Sequence, residues 1–230
     1  FKILSNDINK VDNITSLLSI SGTVNSELND ISFENGTTHH LIINRSYNLR
    51  IDNLDVKGNL DKNISLNYGI SVYLSNYVFI NNYKAKTLRH CIDLSGHPPS
   101  NVIIDNSSLH SEEGFSVGCH SAFSYEVRNT ELMNGSQLGF CHAKFINCHI
   151  ENRGRSIIYN RADAGQYMRS VKLIDCVLKH NGAEFNNAII QFENTSNMEY
   201  CGLILMANCE IYYQENTLNS VVSWETLNKF

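Results

Sequence analysis

Several residues able to do acid–base chemistry recur at matching places on short apolar segments. In the C-terminal half they are Tyr159 and Arg161, with Asp163 just beyond, then Gln191 and Glu193, then Ser223 and Glu225. Upstream, Asp93, His120 and His142 hold comparable positions. Two carboxyl groups flanking one bond are the machinery of glycosidic cleavage, roughly 5 to 5.5 Å apart for retention and roughly 6.5 to 9.5 Å apart for inversion. Glu193 paired with Glu225 or Asp163 is the candidate catalytic set. One carboxyl is kept protonated by its neighbour's charge and serves as general acid. Arg161 would grip an acidic group through two parallel hydrogen bonds, and Tyr159 offers a ring for stacking. Gln191, Asp93, His120 and His142 complete the candidate binding groups, the histidines because imidazole donates, accepts and titrates near neutrality.

Residues so far apart in sequence converge only if strands stack one above another. The chain repeats a short pattern of apolar, any, Asn or Asp, a small residue, any, apolar. It reads Ile51-Asp52-Asn53-Leu54-Asp55-Val56, then Ile104-Asp105-Asn106-Ser107-Ser108-Leu109, then Val127-Arg128-Asn129-Thr130-Glu131-Leu132. Three further copies carry Cys after the polar residue: Phe145 to Ile150, Leu173 to Leu178 and Met206 to Ile211. A weaker copy spans Phe79 to Tyr83, with Asn81 as its key residue. Within each copy alternate residues are apolar, the mark of a strand with one buried face. A second strand precedes each copy, for example Ile70 to Leu74, Cys91 to Ser95 and Ile189 to Phe192.

The repeats are 18 to 33 residues apart, too irregular for a helical-hairpin solenoid. Strand coils joined by loops of variable length fit. The predicted fold is all-β, a right-handed single-stranded parallel β-helix with little helix. Residues 1–27 read as a lead-in segment and 28–230 as the β-helix domain, cut from a longer chain. In such a stack equivalent residues on adjacent rungs lie roughly 4.8 Å apart, so an outward row forms a linear groove suited to an extended polymer. The recurring Asn tolerates left-handed backbone angles at the bends and can bond its own kind along the axis. Cys148, Cys176 and Cys209 would stack as an interior column. His39-His40 reads as a solvated strand or turn.

Composition excludes several classes. Among 230 residues, 42% are hydrophobic and 18% charged, with 31 Asn and a net charge of −5. A phosphate-tracking surface needs clustered Lys and Arg, so no nucleic-acid partner is expected. No apolar run approaches the roughly 18 to 20 residues that cross a bilayer, so no membrane insertion is expected. The seven Cys are odd in number and form no CxxC pair, which argues against a disulfide framework. Cys119-His120 and Cys141-His142 suggest zinc, but neighbours on a strand point to opposite faces. No Asp cluster offers the converging oxygens that calcium requires. No metal and no cofactor are expected.

These coil repeats resemble the pectate-lyase-like parallel β-helix superfamily over roughly residues 28 to 225. The Asn richness, the ragged coil lengths and the lack of a visible signal peptide or disulfides look most like the central domain of bacteriophage tailspikes, the capsule depolymerases. The resemblance implies a homotrimer on the virion tail, outside the cell, that binds and cuts bacterial surface polysaccharide such as capsule or O-antigen. A non-catalytic glycan-binding or structural tail module, and a secreted polysaccharide lyase, are the alternatives. The resemblance rests on the coil pattern and carries no catalytic signature.

Overall fold

The computed structural model describes residues 2–4, 16–61, 67–95, 99–152, 156–160, 169–181, 188–192, 202–213 and 220–224. Among them every regular element is a strand, and every strand pairing is parallel. Each strand bonds to the one a full coil earlier and the one a full coil later, which is the parallel β-helix expected from the repeats. The stack is in place by β2 (Ser16–Ser21), which pairs with β4 (His39–Asn44).

The register divides each coil among three faces. The first sheet runs from β4 through β6 (Tyr68–Tyr73), β8 (Ile92–Leu94), the start of β11 (Val117–Arg128), the start of β13 (Ser136–Ile146), β15 (Ile158–Asn160), β18 (Ala188–Phe192) and β21 (Ser220–Trp224). The second sheet includes β9 (Ser100–Asp105), the ends of β11 and β13, and β16 (Ser170–Ile174). The third includes β10 (Ser108–Ser111), β12 (Glu131–Met133), β14 (His149–Glu151) and β17 (Val177–His180). Every other residue points inward, so apolar rows such as Ile51, Ile80, Ile104, Val127, Phe145 and Leu173 stack fully buried. Burial of that apolar surface, at roughly 25 cal/mol per Å², is the main stabilising term.

The bend between the second and third sheets explains the Asn repeat. Asn53, Asn82, Asn106, Asn129, Asn147, Asp175 and Asn208 all have φ between 46 and 57°. Side-chain amides climb the corner: Asn82 donates to Asn53 at 2.7 Å, Asn147 to Asn129 at 2.8 Å and Asn208 to Asp175 at 3.1 Å. In the weak copy the left-handed residue is Asn82, not Asn81. Asn81 lies in strand register with Asp52 and Asp105, so the repeat there sits one residue later than its sequence suggests.

The next position in the coil is filled by Ser107, Thr130, Cys148, Cys176 and Cys209. Each points its hydroxyl or thiol at the carbonyl two residues earlier, as in Thr130 to Arg128 O at 2.5 Å and Cys176 to Ile174 O at 3.2 Å. The interior cysteine column is therefore the thiol version of a hydroxyl column. Its members share one requirement: a small side chain with a hydrogen to cap an otherwise buried carbonyl.

One expectation is corrected, and one strand that the sequence did not locate is placed. The coil between Asn129 and Asn147 has its first-sheet strand at Ser136 to Leu138, entered through a tight turn at Gly135 (φ +63°). Its Ser, Gln and Gly content hid it. His40 is not solvated. It is fully buried, packs beside Phe33 and lies 2.7 Å from Tyr68 O, and burial lowers its pKa to about 4.

Candidate functional site

On the outer face of the first sheet the register aligns Ser71, Asp93, Gly118, Gln137, Tyr159 and Gln191 on successive rungs. Asp93, Tyr159 and Gln191 thus share one row, with Gln137 belonging to it through the strand missed in the sequence. Outward does not mean exposed here. Asp93 and Gln191 are each 5% exposed and Gln137 4%.

Asp93 is the centre of a polar network. Ser95 donates to its Oδ2 at 2.7 Å, and Oδ1 lies 3.9 Å from His120 Nε2. Ser71, one rung earlier, also bonds the carboxylate and meets His39 Nδ1 at 2.6 Å. His39 in turn stacks on Tyr68 with ring centroids 4.9 Å apart. Burial raises the Asp93 pKa despite the opposing bonds from Ser95 and Ser71 and the nearby imidazole. A carboxyl that holds its proton above the ordinary range is suited to donate it.

Beside this row lies a polar cleft of about 520 Å³, lined by Tyr68, Arg89, His90, Glu112, Glu113, Gly114, Phe115, His120, Asn134 and Gln137. Its floor exists because Gly118 has no side chain. A Cβ there would lie 2.5 Å from His90 Cδ2, so the imidazole occupies the space. Phe115 N–H donates to His90 Nδ1 at 3.1 Å, and the Phe115 ring stacks on Tyr159 at 5.7 Å and 7°. The turn bearing Glu112 and Glu113 is anchored by their N–H groups on Thr87 O and Leu88 O, and by Asn134 Nδ2 on Gly114 O at 2.6 Å. Glu112 also meets Lys86 at 3.1 Å and His110 at 3.4 Å. Gln137 Nε2 is buried and finds no hydrogen-bond partner among the described residues; a buried donor left unsatisfied costs roughly 1 to 3 kcal/mol.

The candidate residues fall into three groups. Asp93, Tyr159 and Gln191 share the row, and His120 reaches Asp93 from two residues beyond Gly118. His142 does not join them: it is exposed on the second sheet, with Nδ1 2.8 Å from Ser170 Oγ. Arg161, Asp163, Glu193 and Glu225 lie outside the described residues. Glu112, Glu113, His90 and Gln137 were not singled out from sequence. The glutamates and His90 sit in turns, where no strand periodicity marks an outward side. Among the described residues no three metal-binding side chains converge.

No protein-family model matches this chain, and no curated protein sequence matches it either. Solved structures do. The tailspike gp49 of Pseudomonas phage LKA1 superposes with a TM-score of 0.63 at 14% identity, over 92% of this chain and 44% of that one. The Gp54 tailspike of Acinetobacter baumannii bacteriophage AP22, solved with a capsular saccharide of that bacterium, gives a TM-score of 0.67 at 17% identity, over 99% of this chain and 44% of that one. The fold is the parallel β-helix of phage tailspikes. This chain spans less than half the length of either tailspike, and at such identities the likeness is one of fold.

Proposed function

We propose that this chain is the β-helix domain, residues 28–230, of a tailspike-like protein that binds and cleaves a bacterial surface polysaccharide, capsule or O-antigen. The observation that carries the reading is the row Asp93, Gln137, Tyr159 and Gln191 at rung spacing beside a deep polar cleft. A rung spacing of roughly 4.8 Å offers an extended sugar chain a repeating set of partners. Tyr159 supplies a ring, Gln137 a buried amide donor without a partner among the described residues and Gln191 a second amide. Asp93 is the proton donor to the leaving oxygen. The second carboxylate comes from Glu113 in the cleft or from the Glu193, Glu225 and Asp163 set; Glu193 follows Gln191 by two residues in sequence. Arg161 is a further binding group, as is His120 on this face, and His142 is one on the second sheet. The domain belongs to a homotrimer on the virion tail, acting outside the host cell, as the tailspike resemblance of the coil repeats implies.

One observation favours binding without cleavage: among the described residues, Asp93 is the only carboxylate in the row. The test is to incubate the full-length protein with a panel of bacterial capsules and follow viscosity and reducing ends, alongside Asp93→Asn, Glu193→Gln and Tyr159→Ala. Degradation of one capsule, abolished by Asp93→Asn with binding retained, supports the reading. Binding without any loss of viscosity leaves a recognition module. No binding to any capsule overturns the proposal.

A further inference from the structure

We propose that a second face of the solenoid holds a separate site for a carboxylate-bearing sugar, in a cleft of the second sheet between Tyr77 and Lys172. The proposal rests on the glycan-binding reading above and adds a contact of different chemistry on a different face.

The cleft is made by an irregularity in β11. Its register with β13 steps from Ser121–Phe140 to Ser124–His142, so β11 carries one extra residue. A bulge of this kind bends the strand and re-aims its side chains. Phe123 is pushed out to 57% exposure, its N–H held by Pro99 O at 2.8 Å. Below the bulge opens a cleft of about 340 Å³, within the range of small-ligand sites. Two outward rows line it. One is Ser124, His142 and Ser170, and the other is Ile103, Glu126, Lys144 and Lys172, each on successive rungs.

The charges in this cleft do not balance. Glu126 is the carboxylate lining it, and it is already engaged by Arg128 at 2.5 Å and Lys144 at 3.7 Å, which hold its pKa down. Lys172 stands one rung past Lys144 and pairs with no carboxylate among the described residues. His142, fixed through Nδ1 by Ser170, leaves Nε2 to a ligand. A single negative charge between Lys172 and His142 completes the site. The rest of the lining suits a sugar rather than a bare anion. Ser124, Ser170 and Asn101 add hydroxyl and amide groups to the lining. Tyr77, 51% exposed and braced edge-on by Tyr47 at 5.5 Å, presents a ring at the rim.

The test is an NMR titration of the ¹⁵N-labelled full chain with tetragalacturonate and with its carboxyl-reduced counterpart. The expected result is shifts confined to the region of residues 77, 101, 124, 142, 170 and 172. The reduced sugar should bind at least about tenfold more weakly, as should Lys172→Glu with the acidic sugar, while Lys172→Arg retains affinity. Tyr159→Ala, on the other face, should leave the titration unchanged. Equal affinity for both sugars, no binding of the acidic sugar, or shifts that follow Tyr159 would overturn the second site. None of these would disturb the first-sheet reading, which stands or falls with the capsule panel.

Discussion

Asp93 and Gln137 stand two rungs apart in one outward row, with only the bare backbone of Gly118 between them. The missing side chain is what lets the His90 ring, held by Phe115, form the floor of the cleft. Gly118→Ala must displace that imidazole. The expected cost is about 1 to 3 kcal/mol, as for other overpacked sites, read by denaturant unfolding, together with weaker saccharide binding. Unchanged stability would mean the floor is not built as described.

The raised pKa of Asp93 gives a stability signature. A carboxyl whose folded pKa is raised binds more protons folded than unfolded between the two values. The wild type therefore loses the contribution of this group as pH climbs from the ordinary carboxylate range through the folded value. Asp93→Asn removes the effect. The variant's Tm relative to wild type should be more favourable at pH 7 than at pH 4. A difference that is flat or of opposite slope would show that burial does not hold the proton.

At the Asn corner, backbone and amide effects separate cleanly. Asn129→Gly keeps the left-handed angle and loses only the bonds with Asp105 and Asn147, about 1 kcal/mol each. Asn129→Ala adds the left-handed penalty of about 1 to 2 kcal/mol. Alanine should thus be the worse substitution in equilibrium unfolding, and the reverse order would refute the conformational argument.

The thiol column predicts selective tolerance. Cys176→Ser keeps a small donor for Ile174 O, as Ser107 does for Asp105 O three coils earlier in the same column. It should cost under about 1.5 kcal/mol, whereas Cys176→Leu should cost about 1 to 3 kcal/mol by overpacking. Thermal melts of both variants decide the matter.

What could be read from the sequence follows from periodicity. Alternating apolar residues and the Asn corner announce a stacked strand coil, since both signals are local and repeat. The outward row containing Asp93, Tyr159 and Gln191 is legible for the same reason. Gln137 was not, because Ser136 and Gly139 interrupt the apolar alternation although Ser136 is fully buried, bonding Val117 O and Tyr125. The placing of Asn81 slipped by one where two Asn adjoin and either satisfies the pattern. His120 and His142 look equivalent beside their cysteines, yet the intervening residues carry them onto different faces. Glu112, Glu113 and His90 owe their position to turns anchored on earlier rungs, a tertiary fact with no short-range signal.

Because every rung bonds only to the rung before and the rung after, the hydrogen-bond ladders run in series along the axis. A pull applied end to end would be borne by each junction in turn, and the weakest of them would set the breaking load. A sideways pull on a strand would instead have to shear many bonds at once. Such a column is stiff against bending at its flanks and yields, when it yields, one coil at a time from an end.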